Sequence, residues 1–133
     1  MLSYQQPKIR ILVVDDHELT RLSLKHLFAS QQNFELVGLS SNGQQAIKQV
    51  QQHQPDVVIL DLQMPVMHGL NAAFHIKRIS PSTQIVAYSS LEDPQTEVMS
   101  QTAPIDCFCD KETSTEELIR IVNELGGYAL PHA

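Results

Sequence analysis

Four apolar runs in this chain lead into polar residues. Ile11-Leu12-Val13-Val14 runs into Asp15-Asp16, and Val57-Val58-Ile59-Leu60 runs into Asp61. Ile85-Val86-Ala87-Tyr88 runs into Ser89-Ser90, and a shorter run around Cys107-Phe108-Cys109 leads to Lys111. Uninterrupted apolar runs of this length suit strands buried on both faces, as in a parallel sheet covered by helices. The carboxyl ends of such strands share one edge, and ligands bind beyond it at the switch point in strand order. Three carboxylates, a hydroxyl and an ammonium would then share one pocket. That combination suits a divalent cation and a phosphoryl group.

The intervening segments have helical period. Leu19, Leu22, Leu24, Leu27 and Phe28 predict a helix packed on the sheet. Phe34 to Leu39 follows as a short strand. Asn42, with Gln45 three residues on, opens a helix through Ala46, Ile47 and Val50, which Pro55 ends. After Gln63-Met64-Pro65-Val66-Met67-His68-Gly69, a helix through Leu70, Ala73, Phe74 and Ile76 stops near Pro81. Pro94 suits a first-turn helix position. Ser114 and Glu117 form a capping box ahead of the stripe Leu118, Ile121, Val122 and Leu125, and Gly126-Gly127 ends that helix. The sum is five β-α units, with helices on both faces of a parallel sheet.

The bulk properties exclude several alternatives. The 133 residues fit one domain with a real core. A formal charge of −6 argues against nucleic-acid binding by this segment itself. The six histidines show no zinc-type spacing with the cysteines. Cys107 and Cys109 lie two apart on one strand, which is poor geometry for a bridge, and are read as small apolar residues in a reducing compartment. No run of about 18 apolar residues is present, so no membrane span is expected. The N-terminus lacks a signal-peptide pattern. A cytoplasmic address is expected.

Crowded carboxylates raise one another's pKa, and a bound cation removes that cost. Magnesium prefers oxygen ligands and keeps open positions that phosphoryl oxygens can fill. A carboxylate can itself be the nucleophile and form an aspartyl phosphate. Asp61, alone after its strand, is the candidate, with Asp15 and Asp16 as metal holders. Each residue alone has a plainer reading as a turn, cap or surface group. Their joint placement at one end of successive strands favours the site.

These motifs resemble the receiver domains of two-component response regulators. The likeness runs from about Ile9 to Leu125 through Val13-Val14-Asp15-Asp16 with His17-Glu18, Asp61-Leu62-Gln63-Met64-Pro65 with Gly69, Ser89 and Lys111. It implies a flavodoxin-like (βα)5 three-layer sandwich, with a five-stranded parallel sheet in order 2-1-3-4-5. The resemblance makes Asp61 the acceptor of a phosphoryl group from a sensor histidine kinase or phosphotransfer protein. Asp16 and Asp61 would bind Mg²⁺ directly, Asp15 mainly through water, and the backbone carbonyl of Gln63 would complete the protein ligands, with Mn²⁺ as a substitute. Lys111 would pair with phosphoryl oxygens, Ser89 would hydrogen-bond them, and Phe108 would turn inward behind it. Slow autodephosphorylation follows, rather than catalysis on an external substrate. Homodimerisation on phosphorylation belongs to the same pattern.

Lys111-Glu112 and Gly126-Gly127-Tyr128-Ala129-Leu130-Pro131 resemble the subclass with a LuxR-type helix-turn-helix, NarL-like in kind. The expected division is a receiver over 8–126 and the start of a linker over 127–133, ending where a DNA-binding output domain would begin. Competing readings are a stand-alone phosphorelay shuttle, a non-phosphorylating interaction module and an α/β phosphatase with an Asp nucleophile. The last class tends to have a second Asp where Gln63 stands.

Three positions depart from the family pattern. Pro104 and Cys107 stand where glycine is usual, and Asp110 replaces an apolar residue before Lys111. The segment Gln95 to Ala103 carries only Val98 and Met99 as sizeable apolar residues, so a weak, shifted or partly irregular helix is expected there. Asp110 has two readings: it pairs with neighbours of Lys111 in solvent, or it draws Lys111 away from the phosphoryl site and slows activation.

Overall fold

The computed structural model describes residues 7–64, 69–90 and 104–127. Five strands, β1 (Ile9–Val14), β2 (Phe34–Ser40), β3 (Val57–Leu60), β4 (Gln84–Ser89) and β5 (Cys107–Asp110), form one sheet. All pairings are parallel, in the order β2-β1-β3-β4-β5. The described helices are α1 (Glu18–Ala29), α2 (Gly43–His53), α3 (Gly69–Ile79) and α4 (Thr115–Leu125). The expected helix over 95–103 and the linker beyond Gly127 lie outside the described residues.

Two apolar cores sandwich the sheet, because successive strand residues point to opposite faces. Ile11, Val13, Ile59 and Val86 pack with Leu24 and Phe28 of α1 and Leu118 and Val122 of α4. Leu12, Val14, Val58 and Ile85 pack with Val50 of α2 and Ala73 and Ile76 of α3 on the opposite face. β3 is buried at all four positions, as its unbroken apolar run requires. Cys107 and Cys109 face one core, and burial pushes both thiols up, which favours the protonated thiol over the thiolate.

The helix boundaries follow the predicted chemistry. Asn42 caps α2 by accepting from Gln45 N at 2.9 Å, and Ser114 caps α4 by accepting from Glu117 N at 3.2 Å. Gln54 closes α2 in the left-handed region, at φ 47°, directly before Pro55. Helical period misleads in two places. Leu19 and Leu22 of α1 are 79% and 41% exposed, and Phe74 of α3 is 51% exposed. The 12-residue α1 seats Leu24 and Phe28, four residues apart, against the sheet, and Leu19 and Leu22 lie on the other side of the helix from that face.

Candidate functional site

Strand register alone gathers the predicted residues. Val14 pairs with Leu60 and Leu60 with Ala87, so Asp15 and Asp61 leave neighbouring strands at one level. The ladder continues one bond past the strands on each side. Asp15 N donates to Ser40 O at 3.0 Å, Asp61 N to Val14 O at 2.9 Å, and Lys111 N to Ser89 O at 3.1 Å. These bonds fix the backbone of the site to the rigid sheet. Chain order reverses between β1 and β3, so the carboxylates sit at the switch point.

Asp15 and Asp61 are buried, and Asp16 is partly exposed. The Lys111 ammonium lies 2.9 Å from Asp15 Oδ2 and 3.5 Å from Asp61 Oδ2. Asp61 Oδ1 accepts from Gln63 N at 2.9 Å, which turns Oδ2 towards Lys111. Burial lifts the Asp61 pKa to about 6; the Gln63 N–H opposes this, nearby Asp15 adds to it, and Lys111 opposes it. Burial also pulls Lys111 down, but Asp15 and Asp61 outweigh that and leave its pKa above the ordinary value. Lys111 is therefore a fixed cation facing two buried carboxylates.

Ser89 is buried at the end of β4. Alternation from Ile85 and Ala87 puts it on the sheet face where Phe108 packs, half-buried. The two residues expected to act together thus share a face. Lys111 reaches the site from the other face, beside Tyr88, whose ring centroid lies 6.0 Å from Nζ. A depression lined by Leu19, Thr20, Ser23, Leu24 and Tyr88 opens next to Lys111.

Sequence reasoning missed one member. His17 Nδ1 lies 2.9 Å from Asp15 Oδ1, 3.2 Å from Asp16 Oδ1 and 3.8 Å from Asp61 Oδ2. Its place directly after the Asp-Asp pair was the available signal. Arg21 also supports the site by donating to Asp15 O at 2.6 Å.

Of the two readings of Asp110, the pull on Lys111 is not the one the structure shows. Its Oδ1 accepts from Glu112 N at 3.1 Å and its carbonyl from Thr113 N at 2.8 Å, so the residue closes the turn after β5. Lys111 stays with Asp15 and Asp61. The reason is local: a carboxylate at a strand end finds a backbone N–H two residues on. Asp110→Leu is expected to lower unfolding free energy by about 1 kcal/mol. Its phosphorylation rate with a small phosphodonor should match wild type; a tenfold change on the order of an activation defect would contradict the assignment.

A family model described as response regulator receiver domain matches residues 11–123. The chain belongs to the response regulator receiver family. The uncharacterized transcriptional regulatory protein YhcZ of Bacillus subtilis is 31% identical over 119 residues, covering 90% of this chain and 56% of that protein. Response regulator protein VraR of Staphylococcus aureus is 28% identical over 116 residues, covering 87% of this chain and 56% of VraR. The chain thus spans about half the length of the curated relatives it matches. A DNA-binding response regulator of the LuxR family from Staphylococcus aureus superposes with a TM-score of 0.81 at 25% identity, over 89% of this chain and 98% of that one. The response regulator domain of Thermotoga maritima CheB gives 0.79 at 25% identity, over 92% and 99%. The LuxR-family likeness supports the subclass expected from Lys111-Glu112, and the family match sets aside the phosphatase reading. Among the described residues, no helix is long and apolar enough to cross a membrane.

Proposed function

We propose that this receiver is a Mg²⁺-dependent phosphoaspartate switch with Asp61 as the acceptor. The observation that carries the reading is a buried carboxylate at the end of the central β3, facing a lysine ammonium at 3.5 Å beside two further aspartates. The donor would be a phosphohistidine on a sensor histidine kinase or phosphotransfer protein. Asp61 attacks phosphorus, the N–P bond of the donor breaks, and an acyl phosphate forms on the carboxylate. Gln63 N–H holds Oδ1 and so orients the attacking group. Lys111 offsets charge on the phosphoryl oxygens. Hydrolysis by water returns the free carboxylate.

The donor set fits magnesium. Asp15 Oδ2 and Asp16 Oδ1 are buried and accept no hydrogen bond, and all the donors expected of the family are hard oxygens. Asp15, Asp16, Asp61 and the Gln63 carbonyl would hold the ion, which would offset negative charge on the transferring phosphoryl group. Ser89 and Phe108 would report the phosphoryl group through the sheet face they share, biasing a two-state surface. The chain divides on this reading into a receiver over 8–126 and a linker start over 127–133. The output is a DNA-binding domain of LuxR type, controlled in a cytoplasmic protein that dimerises on phosphorylation.

Incubation with acetyl phosphate and Mg²⁺, followed by intact-mass measurement, tests the acceptor. A phosphoryl adduct is expected in wild type and none in Asp61→Asn. An adduct that persists in Asp61→Asn moves the acceptor elsewhere. No adduct with any divalent cation would favour a non-phosphorylating interaction module.

A further inference from the structure

Among the described residues, four buried side-chain atoms make no hydrogen bond: Asp15 Oδ2, Asp16 Oδ1, Ser40 Oγ and Gln49 Oε1. The two aspartate oxygens have other company. Asp15 Oδ2 lies 2.9 Å from the Lys111 ammonium, and Asp16 Oδ1 lies 3.2 Å from His17 Nδ1. Ser40 Oγ has neither, although Ser40 is 1% exposed. A buried hydroxyl without a partner costs free energy that an alanine would not. Core packing alone therefore gives no reason for a serine here.

The strand itself is shifted to put the serine there. β1 and β2 keep one register from Ile9 opposite Phe34 to Ile11 opposite Leu36, then slip by one residue, so that Leu12 pairs with Gly38 and Val14 with Ser40. An unbroken register would set Leu39 opposite Val14. Bulges of this kind re-aim side chains beside functional sites. Here the slip sends Leu39 to the core shared with α1 and α4. It brings Ser40 beside Val14, on the face shared with α2 and α3. Val14 is the last residue of β1 before Asp15-Asp16, and Ser40 O accepts from Asp15 N at 3.0 Å. The unpaired hydroxyl is thus held at the metal end of the sheet, against the backbone that carries two of its carboxylates.

We propose that Ser40 is a positioning residue of the metal site, its hydroxyl hydrogen-bonding a water ligand of the bound Mg²⁺. The inference rests on the Mg²⁺-dependent reading above and adds an outer partner to it. Magnesium gives up its waters reluctantly and keeps several when one or two carboxylates bind it. Those waters donate hydrogen bonds and need acceptors, and a serine hydroxyl offers two lone pairs and one donor. Outer partners of this sort orient the inner ligands of a metal. A hydroxyl does so without adding charge to a pocket that already gathers three carboxylates. It is unsatisfied in the metal-free chain and satisfied once the ion is bound. Its removal should therefore move stability and affinity in opposite directions.

The test titrates the full chain with Mg²⁺ by calorimetry, as wild type, Ser40→Ala and Gln49→Met, and melts each protein without metal. Loss of an outer partner costs about 10–100-fold in metal affinity, so Ser40→Ala is expected to bind Mg²⁺ at least about tenfold more weakly. Its metal-free form is expected to melt at or above the wild-type temperature, because the buried unpaired hydroxyl is gone. Gln49→Met removes the other unpaired atom beside β2, together with the bond from Gln49 to Leu39 O at 3.2 Å. It is expected to bind Mg²⁺ as wild type does. An equal loss in Gln49→Met overturns the proposal, since the effect then belongs to the packing of β2. So does a metal-free Ser40→Ala that melts well below wild type, since the hydroxyl then has a partner within the chain. If wild type and Ser40→Ala bind Mg²⁺ equally, the inference alone fails. If wild type binds no Mg²⁺, the metal-dependent reading fails and takes the inference with it.

Discussion

Gly69→Ala is expected to lower unfolding free energy by about 3 kcal/mol, a melting-temperature fall on the order of 10 °C in a domain of this size. A Cβ at this position would lie 2.4 Å from Asp61 O, 2.5 Å from Leu62 Cα and 3.0 Å from Asp61 C. These are backbone atoms at the end of the central strand, so no side-chain rotation relieves the clash. Among the described glycines only Gly127 has positive φ, so Gly69 is needed for space and not for conformation. Its N–H also donates to Leu62 O at 3.1 Å and ties the start of α3 to the acceptor loop. Because the displaced atoms belong to Asp61, the defect reaches function. Misplacing a reacting group by about 1 Å costs roughly 100-fold in rate. Thermal unfolding and the rate of phosphorylation by acetyl phosphate measure the two effects. A variant melting within about 2 °C of wild type would show that the close approach is not constraining.

The second large effect is a gain. Asp61→Asn is expected to stabilise the metal-free protein at neutral pH by about 3 kcal/mol, while abolishing the acceptor. Burial lifts the Asp61 pKa from 3.8 to about 6 in the folded chain. The folded state therefore holds the proton more tightly than the unfolded chain. The stability this contributes is fully present below pH 3.8 and is lost as pH rises through about 6. Above that pH the buried charge is a standing cost, which the neutral amide removes. The variant's advantage should be near zero around pH 4, grow through pH 6 and level off above pH 7. Denaturant unfolding of both proteins across that range, with chelator present, gives the curve. An advantage independent of pH would mean that Asp61 does not titrate as its burial dictates. Added Mg²⁺ should narrow the gap, because a bound cation relieves the same charge.

Both effects come from a site whose members were readable before the fold was known. Asp15, Asp16, Asp61, Ser89 and Lys111 each follow an apolar run, and β1, β3, β4 and β5 are those runs. Parallel strands must place their carboxyl ends together, so the pocket follows from the runs alone. The caps at Asn42 and Ser114 were equally legible, because a capping bond depends on neighbours three residues away. Leucine counting failed at Leu19 and Leu22 because both lie off the helix face that Leu24 and Phe28 define, so being apolar did not bury them. Asp110 could not be decided from the sequence, which left two readings open. Its nearest N–H lies two residues on, and a bond within the turn formed in place of a pull on Lys111.

The chain's own letters determined the parallel sheet, the edge at which the carboxylates gather and the lysine that faces them. Apolar periodicity and strand direction need only local sequence. Tertiary structure alone decided distances between segments far apart in the chain. It set Lys111 3.5 Å from Asp61, pressed Gly69 onto the backbone of Asp61 and Leu62, and turned His17 away from its helix towards three carboxylates. Those are packing outcomes, fixed only when β1, β3 and β5 lie in one sheet and the helices close over its faces. The apolar runs therefore settle which groups meet, and the packing settles how closely, which is what sets their charge and chemistry.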